Sequence, residues 1–107
     1  MTNDWIINFS PEWSDVDKIS HLQRRVLVYA TLYYEYDITL PEWDDYQYDK
    51  LSQFVARLMR EHTDAKDSRF YYVFYDFEGS TAYHLLSRLI EEDRKLITDI
   101  ALTISRK

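Results

Sequence analysis

Residues 14–36 read SDVDKISHLQRRVLVYATLYYEY. Apolar side chains recur in this stretch at spacings of three and four, which is the pattern of one face of an α-helix. They are Val16, Ile19, Leu22, Val26, Tyr29 and Tyr33. From Val26 to Tyr34 the sequence is apolar almost all round, as in helices that are buried on most sides. The stretch therefore predicts a long central helix, about 14–36, with Ser14 as its N-cap.

A second amphipathic helix is predicted at about 46–61, after a loop at 37–44 that contains Pro41. Asp44 or Asp45 is the expected N-cap, since a carboxylate there accepts hydrogen bonds from the first amides of a helix. The apolar face of this helix consists of Tyr48, Leu51, Val55 and Leu58. The two helices with their loop form a helix–loop–helix unit.

Two more helices are predicted in the C-terminal part, after a polar turn at 62–68. Ser80 is the expected N-cap of the first, whose apolar face is Ala82, Leu85, Leu86 and Leu89. The acidic run at 91–93 suits the first turn of the last helix, where the positive end of the helix dipole favours carboxylates. We therefore expect residues 63–107 to hold an extended segment and a helical pair.

The aromatic run at 70–77 leaves two structures open. Its composition, tyrosine and phenylalanine around Val73, is typical of a β-strand. A short strand paired with residues 5–9 and an extended segment lying on the helices both fit this composition. The rings that the core does not use suit a protein interface better than stacking on nucleic-acid bases, since only Lys66 and Arg69 lie nearby as cations.

Composition indicates a single, mainly α domain over residues 1–107. Ten tyrosines stand against one glycine and two prolines, so residues that break helices are few. A net charge of −6 argues against nonspecific binding to DNA phosphates. The absence of cysteine excludes disulfides and thiolate metal sites, and the three histidines lack metal-ligand spacing. No basic region followed by an apolar run begins the chain, so we expect a cytoplasmic protein.

A corner rich in tyrosine and aspartate is the strongest candidate for a binding site. Tyr33 and Tyr34 end the first predicted helix, and Asp45, Tyr48 and Asp49 begin the second. A tight connection would bring the two groups together. Tyrosine faces could then stack on a planar cation, while the carboxylates accept hydrogen bonds from hydroxyl or amide groups.

A purely structural interpretation of the same residues is also open. Tyr33 and Tyr48 would then be core residues whose hydroxyl groups are bonded to Asp37 or Asp49. Asp45 would be no more than the N-cap of the second helix.

The corner resembles the N-terminal, nicotinamide-binding domain of bacterial NAD-dependent DNA ligases. Two groups of residues over 18–62 carry the resemblance: Tyr33, Tyr34 and Asp37, then Asp45, Tyr48, Asp49 and Leu51. The loop between them is longer than the family's usual spacing, and Pro41 is displaced. The resemblance implies a fold of amphipathic helices on both sides of the loop and a bacterial or phage source.

The resemblance also implies a function and roles for the corner residues. Tyr33 and Tyr34 would frame the nicotinamide ring, while Asp45, Tyr48 and Asp49 would hold its ribose and phosphate surroundings. Ligase chemistry itself needs a Lys-x-Asp-Gly motif, which this chain lacks. We therefore expect a non-catalytic module that binds NAD or nicotinamide mononucleotide (NMN), and no metal.

Two alternatives of other classes stay open. One is a small protein–protein interaction module that keeps the helical scaffold without the ligand. It would use the aromatic run and the acidic side of the loop. The other is an acidic mimic of DNA, for which a charge of −6 with 13 basic residues is a modest basis.

Overall fold

The computed structural model describes residues 13–38, 45–80 and 82–106. Over these ranges the chain forms five α-helices, one 3₁₀ helix and no strand, which confirms the prediction of a mainly α fold. The α-helices are α1 (Asp15–Glu35), α2 (Asp45–Glu61), α3 (Tyr71–Phe74), α4 (Tyr83–Leu86) and α5 (Glu91–Ser105), and the 3₁₀ helix is Thr63–Asp67. No helix in these ranges has the length and apolar character needed to cross a lipid bilayer.

Helix α1 begins and ends close to the predicted positions. The Ser14 side chain accepts a hydrogen bond of 3.1 Å from the amide of Asp17, so the predicted N-cap is confirmed. After Glu35 the chain turns through Asp37, whose φ of 53° lies in the left-handed region. The amide of Ile38 then donates to the carbonyl of Leu32 at 2.9 Å, which closes the end of the helix.

Helix α1 is the centre of the packing. It contacts α2, α4, α5 and the 3₁₀ helix. Four of its apolar residues have no exposed surface: Leu22, Val26, Leu27 and Ala30. The predicted burial fails at the end of the helix, where Tyr33 and Tyr34 are exposed. Hydrophobic spacing does not separate a core ring from a surface ring, because tyrosine has an apolar body and a polar tip.

Within the aromatic run at 70–77, residues 71–74 form the short helix α3 and 75–76 form a turn, so the predictions of a strand and of an extended segment were wrong. Its buried residues are Phe70, Val73, Phe74 and Phe77, which share the three- and four-residue spacing of a helix face. Phe74 and Phe77 meet edge to face with ring centroids 5.1 Å apart. Residues 5–9, the expected strand partner, lie outside the described residues.

The C-terminal part has shorter helices than predicted. Residues 63–67 form the 3₁₀ helix where a turn was expected, and α4 is a single turn whose N-cap is Ala82, not Ser80. After helix α4 the chain makes tighter turns: the amide of Arg88 donates to the carbonyl of Leu85, and the amide of Leu89 donates to the carbonyl of Leu86. These three-residue bonds replace the four-residue bonds of an α-helix. Helix α5 then begins at Glu91, as the acidic run predicted.

The glycine at position 79 lets the chain pass directly over α2. Its φ is +89°, a conformation that residues with side chains rarely adopt. A Cβ atom on Gly79 would lie 3.2 Å from the Cα of Gln53 and 3.3 Å from the Cβ of Ala56. Glycine suits this position for two reasons: it adopts the left-handed φ, and it has no side chain where the backbone passes close to α2.

A buried amide joins α1 to the segment before α3. Gln23 has no exposed surface, and its Nε2 donates to the Ser68 hydroxyl at 2.9 Å and to the Met59 sulfur at 3.2 Å. Its Oε1 accepts a hydrogen bond of 3.2 Å from the amide of Phe70. Both polar atoms of the side chain are thus satisfied inside the core, as burial requires.

Candidate functional site

Three tyrosines pack together on the surface where α1 ends. The rings of Tyr33 and Tyr34 meet edge to face with centroids 4.9 Å apart. Tyr83, the first residue of α4, packs edge to face on Tyr34 at 5.1 Å. We call Tyr33, Tyr34 and Tyr83 the tyrosine cluster; their exposed fractions are 50%, 36% and 62%. Such exposure leaves aromatic surface available to a binding partner.

Tyr48, near the start of α2, is more buried than the three tyrosines of the cluster and packs against the core. Its ring is half-buried, and its hydroxyl oxygen is fully buried. Burial raises the pKa of Tyr48 well above its usual range, and Tyr34 and Asp49 raise it further. Helices α1 and α2 pack against each other, and Tyr34 is close enough to Tyr48 to act on its pKa.

The buried hydroxyl of Tyr48 has no hydrogen-bond partner within the described ranges, and neither has the Ser52 hydroxyl one turn later. The Ser52 hydroxyl and the Ala82 amide are close enough to oppose the rise in the pKa of Tyr48. Neither of them reaches hydrogen-bond geometry with it. The Tyr48 ring packs against the core, as the structural interpretation predicted, but its hydroxyl makes no bond to Asp37 or Asp49. For Tyr33 the predicted core placement is wrong, since its ring is exposed.

The two aspartates of the predicted site differ in what the structure shows. Asp49 is exposed beside Tyr48. Asp45 is the first residue of α2, and the residue before it lies outside the described residues, so the expected N-cap of α2 stays a prediction. The side chain of Asp45 is also outside them. Its predicted contact with a ligand stays a prediction.

An ion pair fixes the end of α1 that carries the tyrosine cluster. Arg94 of α5 donates to the Glu35 carboxylate at 2.8 Å and to the Leu86 carbonyl at 3.1 Å. These bonds tie α1, α4 and α5 together next to Tyr34 and Tyr83. Because Arg94 neutralises Glu35, the charge of the corner comes from its other carboxylates.

Sequence reasoning missed Tyr83 and Arg94. Both lie in the C-terminal part, outside residues 18–62 that carry the resemblance. A tyrosine at the start of a helix and an arginine after an acidic run give no local signal of a distant contact. Only the packing of α4 and α5 against α1 brings them to the corner.

Removing the Tyr48 hydroxyl tests whether it is without a partner. For Tyr48→Phe we expect the free energy of unfolding to stay unchanged or to rise by up to about 1 kcal/mol, because no hydrogen bond is lost. Equilibrium urea denaturation measures it. Tyr72→Phe is the matched control, since the Tyr72 hydroxyl donates to buried Asp93 at 2.7 Å. It should cost about 1–2 kcal/mol. An equal loss in both variants would contradict the assignment.

Comparison of the chain with protein-family models, with curated proteins and with solved structures found no match. The resemblance to the DNA ligases therefore depends on the quoted residues alone and stays a prediction. Across the described ranges, no three histidine, aspartate or glutamate side chains come together as metal ligands would.

Proposed function

We propose that the chain is a non-catalytic module that binds a nicotinamide nucleotide, NMN or NAD, at the corner of α1, α2 and α4. The observation that supports this best is the exposed tyrosine cluster, in which Tyr34 packs between Tyr33 and Tyr83. The oxidised nicotinamide ring is flat and positively charged. Aromatic faces attract such a ring through their quadrupole, an interaction worth about 0.5–2 kcal/mol.

The acidic groups of the corner complement the same ligand. Asp49 is exposed at the start of α2, and Asp37 is exposed just after α1. Carboxylates there favour a cationic ring and accept hydrogen bonds from ribose hydroxyls. Asp45 belongs to this group by the resemblance.

Tyr48 takes a different role in this proposal from the one that the resemblance implies. Its hydroxyl is buried, so it does not face a ligand on the surface. We assign Tyr48 to positioning: its ring packs against the core close to Tyr34. The groups that contact the ligand are then Tyr33, Tyr34, Tyr83 and Asp49, with Asp45 by the resemblance.

A protein–protein interaction module is the second candidate. The exposure of Tyr33 and Tyr83 favours it, and Tyr36 and Tyr46 nearby in sequence are 40% and 63% exposed. Tyrosine is enriched at protein interfaces, where it contributes large area at low entropic cost. The partner would then cover the tyrosine cluster in place of a nucleotide.

Calorimetric titration with NMN and with NAD tests the proposed function. We expect saturable binding that Tyr83→Ala weakens about tenfold, because the change removes one aromatic wall. Tyr75→Ala is the matched control: Tyr75 is 57% exposed, but it packs against Arg88 and is not part of the cluster. It should leave the affinity unchanged. An absence of saturable heat at two well-separated temperatures, up to about 10 mM of either ligand, would reject nucleotide binding and leave the interaction module.

A further inference from the structure

A cleft opens on the N-terminal half of α1. Its volume is about 300 Å³. Its lining includes Trp13, Asp17, His21 and Arg24, with Arg69 and Phe70 from the segment before α3. From Arg24 to the tyrosine cluster, α1 runs for about 14 Å at 1.5 Å per residue. The cleft is therefore separate from the proposed nucleotide site.

Arg69 is held in place from two sides. Its backbone amide donates to the Ser20 hydroxyl at 2.9 Å, and its guanidinium donates to the Asp93 carboxylate at 2.8 Å. Asp93 is itself buried and accepts the hydrogen bond from Tyr72. A guanidinium has five N–H donors, so the bond to Asp93 leaves others available to the cleft. Its orientation is fixed before any ligand arrives.

Arg24 is oriented by the uncharged ring of His21. Its guanidinium lies 3.2 Å from Nδ1 of His21. Since arginine only donates, Nδ1 must accept, and the single ring proton is on Nε2. Burial, and then Arg24 and Arg25, lower the pKa of His21 to about 4. His21 is thus neutral at pH 7, and Arg24 and Arg25 both act on it as positive charges.

One wall of the cleft is aromatic. The Trp13 ring is partly exposed and packs edge-on against His21 with centroids 5.3 Å apart. On the other side, the Arg69 guanidinium lies 5.1 Å over the buried Phe70 ring and covers it. A flat wall opposite a guanidinium suits a ligand that is itself flat and negatively charged.

We propose that this cleft binds a small planar anion: one aromatic ring that carries a phosphate or a carboxylate. Arg24 and Arg69 would receive the anionic group, and Trp13 would contact the ring. The volume is at the lower end of the range of small-molecule sites, which suits a single ring rather than a dinucleotide. Asp17 also lines the cleft, and its carboxylate opposes the anion.

The probes are phenyl phosphate and benzoate; phenol and inorganic phosphate, which each carry only the ring or only the anionic group, are the controls. Binding is measured from the ¹⁵N chemical shifts of residues 13–24 and 69–70 and of the indole N–H of Trp13. We expect saturable shifts there with at least one aromatic anion, and binding about tenfold weaker for phenol and for inorganic phosphate. Comparison of phenyl phosphate with benzoate identifies the preferred anionic group. No shifts at these residues up to about 10 mM of both anions would overturn the proposal.

Three charge variants separate a built site from general electrostatics. Arg24→Gln should weaken the anion about tenfold, and Asp17→Asn should strengthen it, because the opposing carboxylate is gone. Arg57→Gln is the matched control: it changes the net charge equally on α2, where Arg57 pairs with Glu61 at 3.7 Å. It should leave the affinity unchanged. An equal loss in Arg57→Gln and Arg24→Gln, or a loss of affinity in Asp17→Asn, would contradict the proposal.

Discussion

Gln23→Ala is expected to lower the free energy of unfolding by about 3 kcal/mol. The change removes a side chain with no exposed surface, which leaves a cavity in the core. It also removes the acceptor of the Phe70 amide and the donor to the Ser68 hydroxyl. An unsatisfied buried donor costs about 1–3 kcal/mol by itself. Equilibrium urea denaturation measures the loss.

Gln53→Ala is the control for this prediction. It deletes the same atoms from an exposed position on α2 and should change the free energy of unfolding by less than about 0.5 kcal/mol. Similar values for the two variants would show that Gln23 does not join α1 to the segment before α3.

Gly79→Ala is expected to cost about 2–3 kcal/mol of stability. The left-handed φ of +89° is strained for alanine, and the new methyl group would lie 3.2 Å from the Cα of Gln53. That neighbour is helix backbone, which cannot rotate away as a flexible side chain could. Thermal and urea denaturation should both report the loss.

The opposite substitution at the other left-handed residue provides the comparison. Asp37 has a φ of 53°, so Asp37→Gly should relieve backbone strain and offset the entropy cost of glycine. We expect a change within about 0.5 kcal/mol. A cost for Gly79→Ala that is no larger than this would contradict the close approach to α2.

Hydrophobic spacing predicted the three long helices because each has an apolar face that the core needs. Ser14 and the acidic run at 91–93 also located two helix starts. The prediction failed at 70–77, where aromatic composition favoured a strand. There the packing of Phe70 and Phe74 into the core overrides intrinsic β propensity.

The candidate site was predictable only in its local part. Adjacent tyrosines at a helix end are visible in the sequence, and so is the second group at the start of α2. The sequence does not show that the Tyr48 hydroxyl points inward, because burial depends on Ala82 and the rest of the packing. It also does not show Tyr83 or Arg69, since their contacts with α1 join distant parts of the chain.

The measurement that tests the proposed function most directly is a ¹⁵N chemical-shift titration with NMN and, separately, with NAD. We predict saturable shifts at residues 33–37, at 45–49 and at Tyr83. Shifts confined to residues 13–24 and 69–70 would show that the ligand's phosphate occupies the cleft on the N-terminal half of α1 instead. That result, or no shifts up to about 10 mM, would contradict nicotinamide binding at the tyrosine cluster.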